Sequence, residues 1–339
     1  MSEVLELTAE ARAWAKSAMA RLESRSFGEL VCGVIWTDKK NEAGELLVPA
    51  DPDHLVNKFT KHPHILLHNH DPGRPKGQVL DCAIFVTPEG RRFIAAILGY
   101  YAGGEVSSFR DYGLTELSFS EPLTLPELPT EAFIQVATDP REVDESWVDS
   151  IAVDAPVPFY RTELSNNAAV PDQELIRVGL AFLALVWNPF VTSIATEAGK
   201  SAYSGMHSWV RRLIEKVAER RAPILDFHTH QYGCQISFIL RGRDLQKHYK
   251  AHETLPAAAA QAAALVLKLK SKGPGARQLI YEFDQNALRW VPSFAVLNDN
   301  RIVTDNLALL SIEQLPSGLS LGLTRGKQLF TGEPPKESP

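Results

Sequence analysis

The chain has 339 residues, 45% of them hydrophobic and 22% charged, a globular composition that excludes collagen-like, fibrous and disordered classes and, by length, predicts about two domains. Its net charge of −6 is unevenly spread: residues 1–150 hold 14 Lys and Arg against 24 Asp and Glu (−10), and residues 151–339 hold 21 against 17 (+4). An acidic first half is a poor partner for nucleic acid, because binding there rests on neutralising phosphates.

Residues 8–24 predict an amphipathic helix, with Thr8 as its cap and Ala11, Trp14, Ala15, Ala18, Met19 and Leu22 on one stripe. Leu30 to Trp36 is a buried-strand run, and the polar turn 38–44 separates it from a short strand at 45–48. Asp51-Pro52 starts a helix over 52–61, and Ile65-Leu66-Leu67 is a strand that runs into His68-Asn69-His70. After a loop rich in Pro and Gly, the segments 79–86 and 93–101 read as strands on either side of the turn Pro88-Glu89-Gly90.

Residues 121–171 carry seven prolines and read as a connecting segment that packs along the surface. A second unit follows, with helices expected at 173–187 (capped by Asp172), 206–221 and 255–271, and strands at 223–229, 234–241, 277–283 and 289–297. Asn298-Asp299-Asn300 is a hairpin turn before Ile302-Val303, and the tail 331–339 has a disordered composition. Arg211, Arg212, Lys216, Arg220 and Arg221 read as the solvated face of a helix. The fold class expected is α/β, with domains at 1–120 and 172–330, the connection 121–171 between them and the tail after them.

Val178 to Thr196 is uncharged over 19 residues, but Asn188-Pro189 breaks it, so a buried helix and no membrane span is expected. Three widely spaced cysteines, Cys32, Cys82 and Cys234, argue against a disulfide framework. The residues Met1 to Glu6 lack the basic region and apolar stretch of a signal peptide, so a cytoplasmic location is expected.

The chemistry concentrates at His68, His70 and Asp81. In an extended strand, alternate residues share a face, so the two imidazoles can converge on one ion, and Asp81 can fold back across the Gly/Pro-rich loop. Two imidazoles and one carboxylate are a catalytic zinc ligand set, which leaves the fourth position to a water whose pKa the metal lowers to about 7.

The run from His68 to Asp81 resembles the JAMM (JAB/MPN) metallopeptidases, whose pattern is Glu, a gap, His-x-His, seven residues, Ser, two residues and Asp. The match has no gap and covers roughly residues 8–115, with the upstream helix, hairpin and strand in the family's order. The resemblance implies a JAB/MPN-like mixed sheet with flanking helices, Zn2+ held by His68, His70 and Asp81, and a Glu acting through the bound water. Glu29 is the nearest candidate for that Glu, one residue out of the usual register before Gly33, with Glu42 and Glu45 as fallbacks. The family serine aligns with Gln78, whose amide can donate to a developing oxyanion.

The activity implied is deubiquitinase-like isopeptidase cleavage of a ubiquitin-like protein from its conjugate or precursor, in partnership with ubiquitin-like conjugation enzymes. The alternatives are a catalytically inactive MPN-like binding or scaffolding module and a non-peptidase zinc hydrolase. A second histidine group, His228, His230, His248 and His252, reads as structural, because position 241, eleven after His230, is Arg rather than an acid.

Overall fold

A computed structural model describes residues 8–40, 42, 44, 46, 48, 50–61, 64–113, 131–164, 173–181, 184–185 and 197–306. In chain order its elements are α1 (Ala9–Leu22), β1 (Glu29–Thr37), α2 (Pro52–Lys61), β2 (His64–Leu67), a 3-10 turn (His68–His70), β3 (Pro75–Val86), β4 (Arg92–Tyr100) and β5 (Val106–Ser107). After a second 3-10 turn (Phe109–Tyr112) come β6 (Ile134–Thr138), α3 (Glu145–Ala152), β7 (Phe159–Glu163) and β8 (Glu174–Gly179). Then follow α4 (Glu197–Ala218), β9 (Pro223–Gln231), β10 (Cys234–Arg241), α5 (Leu245–Lys272), β11 (Ala276–Asp284), β12 (Arg289–Leu297) and β13 (Ile302–Val303). The protein is thus mixed α/β, with five α-helices among the described residues.

Among the described residues the strands form two sheets. The first is antiparallel throughout, in the order β1-β4-β3-β2. Its central strand β4 is apolar from Phe93 to Leu98 because both faces are covered. The small residues Ala11, Ala15 and Ala18 bring α1 close against Cys32, Val34, Phe93, Ala95 and Ile97. On the opposite face, Leu55, Val56 and Phe59 of α2 pack against Leu66, Val79, Cys82, Ile94, Ala96 and Leu98.

The second sheet has nine strands in the order β5-β13-β12-β11-β10-β9-β8-β6-β7. Three strand–helix–strand units build most of it, since β6 pairs parallel with β7, β8 with β9, and β10 with β11. Helices α3, α4 and α5 cover one face in a continuous core that includes Trp209, Phe227, Phe238, Tyr281 and the alanines of α5. The first sheet docks on the other face, where Phe27, Leu80 and Tyr101 pack with Leu175, Ile224, Ile239, Ile280, Phe294 and Val296.

Three expectations are corrected. Residues 174–179, expected within a helix over 173–187, are strand β8, with Leu175, Ile176 and Val178 buried. A strand covered on both faces carries the same dense apolar run as a buried helix, and its pairing on both edges decides between them. Asp172 and the Asn188-Pro189 stop lie outside the described residues.

Within the Pro-rich stretch expected as a connection, β6, α3 and β7 instead add two strands to the edge of the large sheet. Helix α5 begins ten residues earlier than the alanine-rich run, because Asp244 caps it by accepting from the backbone N–H of Gln246 (3.1 Å) and Lys247 (3.2 Å). It continues through Pro256, which has no N–H to offer the carbonyl of His252 one turn back. No helix among the described residues is long and apolar enough to cross a membrane.

Candidate functional site

The chain around the His-x-His sequence folds as a tight loop. His68 and His70 do not continue β2: they sit in the 3-10 turn, with Asn69 between them in the left-handed region (φ 48°, ψ 37°). The alternation that would aim two strand imidazoles at one point therefore does not apply. Asp71 N–H donates to His68 O (2.9 Å), Arg74 N–H to Asp71 O (3.0 Å) and His68 N–H to Arg74 O (2.9 Å). The His68 side chain is exposed, and that of His70 lies outside the described residues.

Asp81 lies within β3 rather than on a helix. The pairing jumps from Val79↔Leu98 to Asp81↔Ile97, a β-bulge with Leu80 as the extra residue. The bulge turns Asp81 to the α1 face, where Arg21 pairs with its carboxylate and the backbone N–H of Cys82 donates to it at 2.8 Å. Cys82 points the other way, into the core under α2, and burial pushes its thiol up to about 11.

The register puts His68 level with Arg74, so Asp81 stands on the order of 20 Å further along β3, at about 3.3 Å per residue. Tetrahedral zinc needs its donors within about 2 Å of one point, and in this arrangement His68 and Asp81 do not meet around an ion. Glu29 opens β1 opposite Tyr100 and is exposed; its charge raises the Tyr100 phenol, after burial as the larger cause. Three strand spacings, about 14 Å, separate β1 from β2. Of the fallback acids, Glu42 is exposed and Glu45 lies outside the described residues.

Gln78 is fully buried at the junction of the two sheets. Its amide N–H donates to Tyr101 OH (2.5 Å) and Asn300 O (3.0 Å), and its carbonyl accepts from Arg277, which also donates to Asn300 Oδ1 (2.7 Å). Both ends of the amide are thereby committed within the protein.

The loop's strongest contact comes from a residue that motif reasoning passed over. Asp71 takes a bidentate pair from Arg241 at the end of β10, with both distances 2.7 Å, and Arg241 also donates to Glu282 of β11 (3.1 Å). Gly73 makes room for this cluster, since a Cβ there would come within 1.9 Å of Glu282 Oε1. The Asp-Pro-Gly turn was a visible signal for the loop, but its partner lies 170 residues away.

On α5, which covers the second sheet, His248 and His252 are buried. His248 sits 3.4 Å from Arg241 O, and His252 stacks on His207 with ring centroids 4.3 Å apart. Burial, with the nearby His207 and Arg211, pushes His252 down to about 3.

Compared with known proteins, the chain matches no protein-family profile, no curated protein and no solved structure.

Proposed function

We propose that this chain is a binding or scaffolding module with a JAMM-like layout in its first sheet, and that the positions corresponding to the zinc site serve the fold rather than hydrolysis. The observation that carries this reading is the state of Asp81: its carboxylate is held by Arg21 and by the Cys82 N–H, far along β3 from His68. Gln78, at the position of the family's oxyanion donor, spends its amide between the sheets, and the His-x-His loop is anchored through Asp71 to Arg241. These contacts give polar motif residues a structural purpose without a metal. The zinc isopeptidase acting on ubiquitin-like conjugates stays as the second reading, favoured by the ungapped spacing from His68 to Asp81.

Metal analysis and an activity assay separate the two. Full-length protein purified in the presence of zinc is expected to carry far less than one equivalent, and to leave a ubiquitin-like fusion intact. One zinc per chain that disappears in both His68→Ala and Asp81→Ala, together with chelator-sensitive cleavage, would overturn the proposal in favour of the peptidase.

A further inference from the structure

A second polar constellation lies on the nine-stranded sheet, on the face away from the helices. In the antiparallel pair β9–β10, His228 stands directly opposite Ser237, and Asp226 lies two residues earlier on the same face. On the other side of β9, Arg177 is opposite Asp226 and Gly179 is opposite His228. Leu175, Ile224, Ile239 and Ile280 flank the cluster and belong to the apolar contact with the first sheet, so the cluster sits beside an apolar junction.

Asp226 and Ser237 are fully buried, yet Asp226 Oδ1, His228 Nδ1 and Ser237 Oγ have no hydrogen-bond partner among the described residues. A buried polar group left unpaired costs about 1–3 kcal/mol, and native interiors seldom leave one, still less three on one face of adjacent strands. Directly opposed side chains have Cβ atoms about 5 Å apart, so a single small molecule spans the three atoms. They are not wired as a nucleophilic triad. Asp226 accepts from Arg177 Nε (2.9 Å) through its other oxygen, and neither His228 Nδ1 nor Ser237 Oγ makes a hydrogen bond among the described residues.

We propose that Asp226, His228 and Ser237 form a binding site for a small neutral or cationic molecule that carries N–H or O–H donors. The free Asp226 oxygen can only accept, whereas the serine hydroxyl and the imidazole nitrogen can each accept or donate. A donor-bearing ligand therefore satisfies all three. An anion would instead bring a second negative charge beside a buried carboxylate whose guanidinium partner is already engaged.

Exposure rises along β9, where the same face passes from buried Asp226 through partly exposed His228 to exposed His230, opposite Gln235. Gly179 leaves room for the imidazole: a Cβ there would lie 3.0 Å from His228 Nε2.

The test is a titration of full-length protein with histidine imidazoles isotopically labelled, reading the His228 resonance assigned by its loss in His228→Gln. The probes are methylguanidinium and glycerol, with acetate as the anionic contrast. The expected result is a saturable shift of His228 with a donor probe and none with acetate, the apparent affinity falling about tenfold or more in Ser237→Ala and in Asp226→Asn. Ser237→Ala removes one hydroxyl and keeps the test valid if Asp226→Asn does not fold. A shift that never saturates, equal binding to wild type and Ser237→Ala, or crystals soaked in the probes that hold only ordered water at the three atoms would each overturn the proposal.

Discussion

The two sheets treat their polar residues in opposite ways. In the first, the polar side chains in and beside the motif are engaged: Asp81 by Arg21, Gln78 by Tyr101 and Arg277, and Asp71, which motif reasoning passed over, by Arg241. In the second, Asp226, His228 and Ser237 match no recognised motif, yet each presents an unpartnered atom in a buried setting. Residue spacing along a chain identifies which chemistry is conceivable. Hydrogen-bond satisfaction identifies where unused capacity lies. Here the two criteria select different sheets, and the contacts that satisfy the first are largely those that hold it on the second.

That contrast can be broken most forcefully at the junction. Phe294→Ala empties a fully buried site between the sheets and is expected to lower stability by about 3–5 kcal/mol in urea unfolding; a loss below about 1 kcal/mol would mean the sheets do not fold as a unit. Arg241→Ala leaves Asp71 and Glu282 facing each other without a cation, for an expected loss of about 3 kcal/mol, whereas a neutral result would reduce the clamp to a surface contact.

Stability should also depend on pH through the stacked histidines. The proton affinity of folded His252 lies below the unfolded value near 6.5, so its neutral form belongs to the folded state. Its contribution is complete above pH 6.5 and is lost as pH falls from there towards about 3, at up to about 1.4 kcal/mol per pH unit for one proton. His207, also depressed by burial and by Arg211, acts in the same direction. Unfolding free energies measured between pH 7 and pH 5 should fall in the wild type and flatten in His252→Phe; parallel curves would remove the stack from the account. The smallest effect is expected at Arg21→Ala. Arg21 is 65% exposed, so losing the Asp81 pair should cost about 0.2–1 kcal/mol in the same unfolding measurement.

Much of the layout was legible in the residues. The alternating or continuous apolar runs of β1, β4, β10 and β12 and the stripe of α1 placed those elements to within two residues, because each answers to a local period. β8 was misread as helix because burial on both faces erases the period that separates the two. The units in 131–163 were hidden by prolines that sit beside their elements rather than within them, as Pro140, Pro156 and Pro158 do.

At the candidate site, the Pro- and Gly-rich loop after the histidines could be read locally, but the 3-10 turn that takes His68 and His70 off the strand could not. The turn of Asp81 to the α1 face could not, since it depends on a bulge defined only by pairing with β4. Arg241, Arg277 and Asn300 were out of reach for the same reason, being 170 to 222 residues from the side chains they meet.

The bulge at Leu80 makes β3 a strand with two reading frames. Upstream, Gln78 faces the junction by one parity; downstream, Asp81 keeps that face only because an additional residue intervenes. Deleting Leu80 would leave a regular ladder with Asp81 still opposite Ile97, whereas straightening the bulge with every residue kept would pair Leu80 with Ile97 and rotate Asp81 to Val86 by half a turn, sending the acid towards α2 and Cys82 towards α1. Whether the bulge is kept, rather than which letters the strand carries, thus decides which side of the sheet presents the acid.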